Sequence, residues 1–215
     1  MILLAMLGCF GNSEEDLTPQ INGTITTAEA SGDVAIYKAF GFHVDNKALF
    51  YMTSTPDADC PSVAEYLTEK QVDPAGIWEG GTCNISAVVW EYDADGATFT
   101  MEGGEANFDI TWSVKCALGE GSFEWTKRDE DSEDTDYFWV GDDAYEWLGS
   151  GDEFEATFSG AGTADDPYVI DITDMTAFDG NYPTIIEGIP ADGTVSGSIE
   201  AQTCSQLLGA GIFPS

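Results

Sequence analysis

Ile21-Asn22-Gly23-Thr24-Ile25-Thr26-Thr27 is the stretch that decides the fold. Its apolar and polar residues alternate, which is what a strand with one buried and one wet face requires. The same period of two returns in Val34-Ala-Ile-Tyr-Lys-Ala-Phe40 and in Ala48-Leu-Phe-Tyr-Met52. Further strands are expected at 85–92, 97–101, 108–116, 122–126, 137–140, 154–159, 168–175 and 194–202, rich in Val, Ile, Thr and aromatics and separated by Gly, Asp and Asn. Many short strands with a turn every 8–12 residues define an all-β protein. The expectation is an antiparallel β-sandwich, with a barrel as the alternative.

Only Cys60–Lys70 carries a helical period. Pro61 suits the first helical position, Ser62 and Glu65 fit a capping box, and Val63, Tyr66 and Leu67 put an apolar stripe on about two turns. A short helix near 61–70 is expected, followed by turns at Asp73-Pro74-Ala-Gly76 and Gly80-Gly81.

The chain has 215 residues, 43% of them hydrophobic and 12% aromatic, enough for one sizeable core and too many for a disordered chain. Forty acids against six bases give a net charge of -34. That surface repels nucleic acid, which needs a Lys/Arg footprint, and anionic headgroups for the same reason. Cations, cationic proteins and neutral glycans are the partners it allows. Self-repulsion at this charge is relieved by salt, so one expectation is adaptation to a salty medium, against an ordinary acidic secreted protein.

The five cysteines divide unevenly. Met6-Leu7-Gly8-Cys9 closes a short apolar run and resembles the lipobox of bacterial lipoproteins. That resemblance covers residues 1–9 alone and implies acylation of Cys9 after cleavage at Gly8. Met6 and Leu7 depart from the usual lipobox residues, and the charged n-region is lacking, as a start placed too far downstream explains. Phe10 is not the aspartate that holds enteric lipoproteins at the inner membrane, so the resemblance implies an exported protein, anchored at the outer membrane or cell surface. Residues 1–8 then form the signal segment, 9–20 an acidic tether, and 21–215 a single domain.

Cys60, Cys83, Cys116 and Cys204 remain as an even set, expected to form two disulfides. The pairing expected is Cys60–Cys83 and Cys116–Cys204, one of three possible, with the last strand lying beside the one that ends at Cys116. Zinc ligation is disfavoured, because no CxxC occurs and the one histidine is remote in sequence.

Chemistry-bearing motifs are weak. Glu91–Glu102 places acids at positions 1, 3, 5 and 12 and Gly96 at position 6, as a calcium loop does, but its flanks are strand-like. It reads instead as a hairpin turn at Asp93-Ala-Asp-Gly96, with Gly96 in the left-handed region. Six of the eight residues in Asp129–Asp136 are acidic, which marks a solvated loop ahead of a calcium clip. His43, at a strand end before an Asp45-Asn46 turn, has no Gly-x-Ser-x-Gly partner, so a Ser-His-Asp relay is not expected. Trp125, Trp139 and Trp147 with Tyr137 and Tyr145 gather in one region, where core packing is the default and sugar stacking the alternative. No metal or cofactor is expected. The expected function is a lipid-anchored envelope protein, a non-catalytic binding or structural module; a calcium- or carbohydrate-binding module comes second and an exported hydrolase third.

Overall fold

Ile21 and Ile25 are fully buried while Asn22, Thr24 and Thr26 are exposed, so the opening alternation is a strand with one wet face. The structure, a computed structural model, describes residues 18–26, 31–69, 77–79, 83–101, 109–119, 122–127, 137–140, 144–179 and 191–210. Its strands are β1 (Ile21–Thr26), β2 (Ser31–Ile36), β3 (Lys38–Val44), β4 (Lys47–Thr53), β5 (Ile77–Glu79), β6 (Cys83–Val89), β7 (Ala97–Met101), β8 (Ile110–Gly119), β9 (Ser122–Lys127), β10 (Tyr137–Val140), β11 (Ala144–Ser159), β12 (Tyr168–Asp179) and β13 (Ala191–Thr203). One helix, α1 (Cys60–Glu69), and a 3-10 turn at Ser205–Ala210 complete the described elements. The protein is all-β, as expected.

Pairing runs β12–β11–β8–β6–β4–β3–β13, and β13 pairs with β12 again, so the large sheet returns on itself and is barrel-like. Strands β1 and β2 continue from β13, and β7 attaches to β11. Pairing is antiparallel apart from one short stretch, Ala201–Thr203 of β13 along Ala39–Gly41 of β3. Two long strands make the closure possible by serving two partners along one edge. β11 gives its first part to β8 and its second to β7; β13 gives 192–197 to β1 and 201–203 to β3. Register shifts at Glu153/Glu155 in β11 and at Ile172/Met175 in β12 bend the sheet where it must curve. At the second, Asp174 has φ 44°, and its N–H donates to Ser196 Oγ at 3.1 Å, so the group freed from the ladder is not left bare.

β2 packs across the interior toward β6 and β8. Phe50 stacks on Phe158 with ring centroids 5.0 Å apart, and Trp112 lies 5.2 Å from Phe154. Each such large side chain contributes about 1.5–3 kcal/mol by leaving water. β4 reads as an almost unbroken apolar run because it is buried on both sides. Ala48, Phe50 and Met52 enter the interior, while Leu49 and Tyr51 meet Val63 and Ala64 of α1 and Leu207 of the 3-10 turn on the outer wall.

Several expectations need correcting. Val34–Phe40 is two strands: Val34 and Ile36 point inward, but so does Ala39, and that change of parity requires the break at Tyr37. β5 was not anticipated. The helix spans 60–69 as expected but is capped three residues earlier. Asp59 Oδ1 accepts from the Ser62 N–H at 2.9 Å, and the Asp59 N–H donates to Ser62 Oγ at 3.1 Å, so the box is Asp59 with Ser62. Lys70 and the turns at 73–76 and 80–81 lie outside the described residues.

The disulfide pairing is also corrected. The bridges are Cys60–Cys204 and Cys83–Cys116. β6 and β8 are direct neighbours, because the intervening β7 leaves to pair with β11, and Cys83 sits opposite Cys116 in the register. Cys83 spends its N–H and C=O on Ser54, so toward Cys116 it forms a non-hydrogen-bonded pair, the position where facing side chains are closest. The last strand does not lie beside β8. It runs along β3, which delivers Cys204 beneath the first turn of α1, where Cys60 meets it.

Candidate functional site

His43 stands on the inward-facing series of β3, with Ala39 and Gly41, at the end of the strand just before the two-residue turn Asp45-Asn46. Asp45 adopts φ 54° there. The imidazole Nδ1 is 2.8 Å from Tyr168 Oη, and its ring lies 5.4 Å from Tyr92 and 5.8 Å from Tyr168. Beneath them Phe50 meets Tyr168 edge-on at 5.4 Å. Gly41 makes room for this stack, since a Cβ there would lie 2.8 Å from the Phe50 ring and 3.0 Å from that of Tyr168. These rings plug one end of the barrel-like sheet.

The β11–β12 loop closes over the plug. Tyr92 Oη donates to the Gly160 carbonyl, and the Gly160 N–H donates to the Ala94 carbonyl at 2.9 Å. Asp166 Oδ2 accepts from the Ala161 N–H at 3.0 Å, and Thr203 Oγ1 donates to the Gly162 carbonyl. Gly162 has φ 69° and lies against the Tyr168 ring, where any Cβ would collide. Burial raises both phenols above their ordinary pKa. For Tyr92 the nearby Tyr168, Asp166 and Asp93 add to burial; for Tyr168 the bond to His43 partly offsets it. Both hydroxyls are therefore neutral near pH 7 and committed to hydrogen bonds.

This is not the relay drawn for a hydrolase. His43 bonds a phenol, and among the described residues no carboxylate orients it and no serine faces it. Tyr92 and Tyr168 were missed as its partners, since 125 residues separate His43 from Tyr168. Beside the loop lies an open groove of about 460 Å³, lined among others by Gln20, Thr163, Pro167, Glu200, Gln202 and Thr203. It offers amides, hydroxyls and the Glu200 carboxylate.

The described residues of the Glu91–Glu102 segment hold a tight turn at Asp93–Gly96. The Gly96 N–H donates to Asp93 O at 3.0 Å, the Asp95 N–H donates to Asp93 Oδ1 at 3.0 Å, and Gly96 has φ 120°. Glu91 Oε2 accepts from Asn46 Nδ2 at 3.3 Å, and Phe99 is buried in the core from the following strand. It is not a hairpin, however: β6 and β7 do not pair, and the turn carries the chain across to β11. Among the described residues no group of three or more His, Cys, Asp or Glu is placed to hold a metal ion. Glu102 and the Asp129–Asp136 run lie outside the described residues, as does Cys9. The tryptophan region divides between two sheets: Trp125 and Trp139 face each other in the β9–β10 ladder, while Trp147 stands opposite Cys116 in the large one.

Fold and site together define a disulfide-bridged all-β domain with one end sealed by a histidine–tyrosine cluster. Comparison with family models, with curated proteins and with solved structures returned no match.

Proposed function

We propose that this protein is an exported lipoprotein, acylated at Cys9, whose domain serves at the bacterial envelope as a non-catalytic binding or structural module. The observation that carries this reading is the cysteine inventory. Two bridges use Cys60, Cys83, Cys116 and Cys204, which leaves Cys9 as the odd one, next to an apolar run. Bridged cysteines belong to oxidising compartments. Close behind the expected tether the Gln20 N–H donates to Ile36 O at 2.9 Å. No helix among the described residues is long and apolar enough to cross a membrane. With a net charge of -34 the chain has no electrostatic hold on anionic headgroups, so the acyl chains supply the attachment. The commitment of His43 to a phenol supports the non-catalytic part.

Mass spectrometry of the mature N-terminus from the native membrane fraction tests the anchor. A lipid-modified Cys9 is expected, with Cys9→Ala shifting the protein to the soluble fraction; an unmodified N-terminus upstream of Cys9 overturns the reading. The acidic surface makes a separate expectation: the melting midpoint rises from low salt to molar NaCl, and a flat series removes adaptation to a salty medium.

A further inference from the structure

An asparagine two residues ahead of a serine or threonine, with any residue but proline between, is the acceptor signal for N-linked glycosylation in exported proteins. The chain carries it twice, in Asn22-Gly23-Thr24 and in Asn84-Ile85-Ser86. The fold treats the two oppositely. Asn22 and Thr24 are exposed on the wet face of β1, whereas Asn84 of β6 is 8% exposed and its Oδ1 is enclosed. A glycan on Asn84 has no way out of the folded domain.

The surroundings of Asn22 leave room for one. Register sets Ala35 of β2 and Ser196 of β13 opposite it. Val34, Ile36 and Val195, their neighbours in sequence, face the core, so Ala35 and Ser196 stand on the wet side beside Asn22. Neither side chain reaches far enough to cover a carboxamide. The fold does not call for asparagine here: strands are depleted in it, and Thr24 and Thr26, the other wet positions of β1, follow strand preference. Gly23 is required, since a Cβ there would collide with the Thr194 carbonyl. A strand held on both edges cannot enter the active site of a transferring enzyme, so the signal must be read before pairing is complete. β1 allows this, because its second edge waits for β13, the last of the described strands.

We propose that Asn22 is a site of N-linked glycosylation and that Asn84 is not. The donor is an oligosaccharide activated as its lipid diphosphate, and a membrane transferase brings the two together. Asn22 Nδ2 forms a C–N bond to the anomeric carbon of the sugar. The bond from that carbon to the diphosphate oxygen breaks, the lipid diphosphate leaves with the electron pair, and the amide proton passes to a base of the transferase. The sugar then stands on the wet face of β1, bulky and hydrated, without disturbing the core behind it. The modification rests on export of the chain but not on acylation of Cys9.

Glycopeptide mapping of the full chain, purified from its native membrane fraction and fragmented so that sugar stays attached, tests the site. The peptide holding Asn22 is expected to carry hexose-containing mass on that asparagine, and the peptide holding Asn84 none. In the intact protein Asn22→Gln and Thr24→Ala should each remove the sugar mass. Thr24→Ser, which keeps the hydroxyl, should retain it, and Ser86→Ala, which deletes the second signal, should leave it unchanged. Mapping of the unaltered protein gives the first result without depending on how any variant folds. A bare Asn22 in the mature protein overturns the proposal, as does sugar on Asn84 in its place, or sugar mass that persists in Asn22→Gln and so sits on a hydroxyl. Acylation of Cys9 is read on the same preparation. A bare Asn22 on an acylated chain sinks the glycan alone, and a glycan on an unacylated chain sinks the anchor alone.

Discussion

The interior of the barrel-like sheet and the cover on its outer wall are made of similar side chains but are held in different ways. The interior draws buried residues from nearly every strand of the large sheet, and most of those strands are paired along both edges. The cover consists of α1, the 3-10 turn and the outward residues of β3, β4 and β6. Its covalent tie is Cys60–Cys204, which joins residues 144 apart, whereas Cys83–Cys116 joins residues 33 apart on strands that already face each other. One region is fixed many times over; the other adds to its packing a single long-range covalent link.

The largest effect should therefore come from that link. On loop-entropy grounds Cys60–Cys204 contributes about 5 kcal/mol and Cys83–Cys116 about 4 kcal/mol. Cys60→Ser/Cys204→Ser should lower the urea midpoint by more than any single side-chain change outside the interior. Cys60 is also partly exposed, while Cys83 and Cys116 are fully buried. Mild reductant followed by alkylation and peptide mapping should label Cys60 and Cys204 first. Simultaneous labelling of all four would erase the distinction between the regions.

Next comes the interior itself. Phe158→Ala removes a fully buried ring that contacts Phe50, Phe99 and Trp112, and should cost about 3–5 kcal/mol in chemical denaturation. Leu67→Ala, under the cover and only partly buried, should cost less than half as much. Equal losses would mean that cover and interior are packed alike.

The two regions were also unequally legible in the sequence. Strands 97–101 and 137–140 and the helix were readable because period and punctuation are local properties. The parity change between Ile36 and Ala39 was present in the same residues but went unread, because Tyr37 and Lys38 hide no Gly or Pro to mark the break. The disulfide pairing was out of reach: it depends on β7 leaving for β11, a choice made by partners more than fifty residues away. The His43–Tyr168 bond fails on the same ground. Strand β5 went unread, since three residues carry too little period to recognise.

The plugged end gives a smaller, pH-dependent effect. Tyr168→Phe removes the bond to His43 and should cost about 1 kcal/mol near neutrality. Burial raises the folded pKa of Tyr92 and Tyr168 above the ordinary 10.0. The neutral phenols therefore stabilise the fold fully below pH 10, and that contribution fades above it, where the unfolded chain ionises first, and is gone once the pH has risen through the folded pKa. Alkaline melts should show a fall above about pH 10 that is shallower in Tyr168→Phe. An identical alkaline limb in both proteins would mean that Tyr168 does not report on the interior.

The smallest expected effect is at the start of α1, and it separates the two regions most cleanly. The bond from the Ser62 backbone, followed by that from its hydroxyl, holds the Asp59 carboxyl below its ordinary value. Its folded pKa thus lies under the unfolded one of 3.8, so its contribution is present above that value and disappears as the pH falls through the folded pKa. Acid should loosen the first turn of the helix while leaving the interior strands paired. Amide exchange of Ser62 and of Val63, whose N–H donates to Asp59 O at 3.1 Å, should accelerate beyond the intrinsic pH dependence as the pH falls below the unfolded value of 3.8, and Asp59→Ala should show that acceleration already at neutral pH. Amides of β4 and β6 should not follow. If they open in step with Ser62, the cover and the interior unfold as one unit, and the single link between Cys60 and Cys204 is not what distinguishes them.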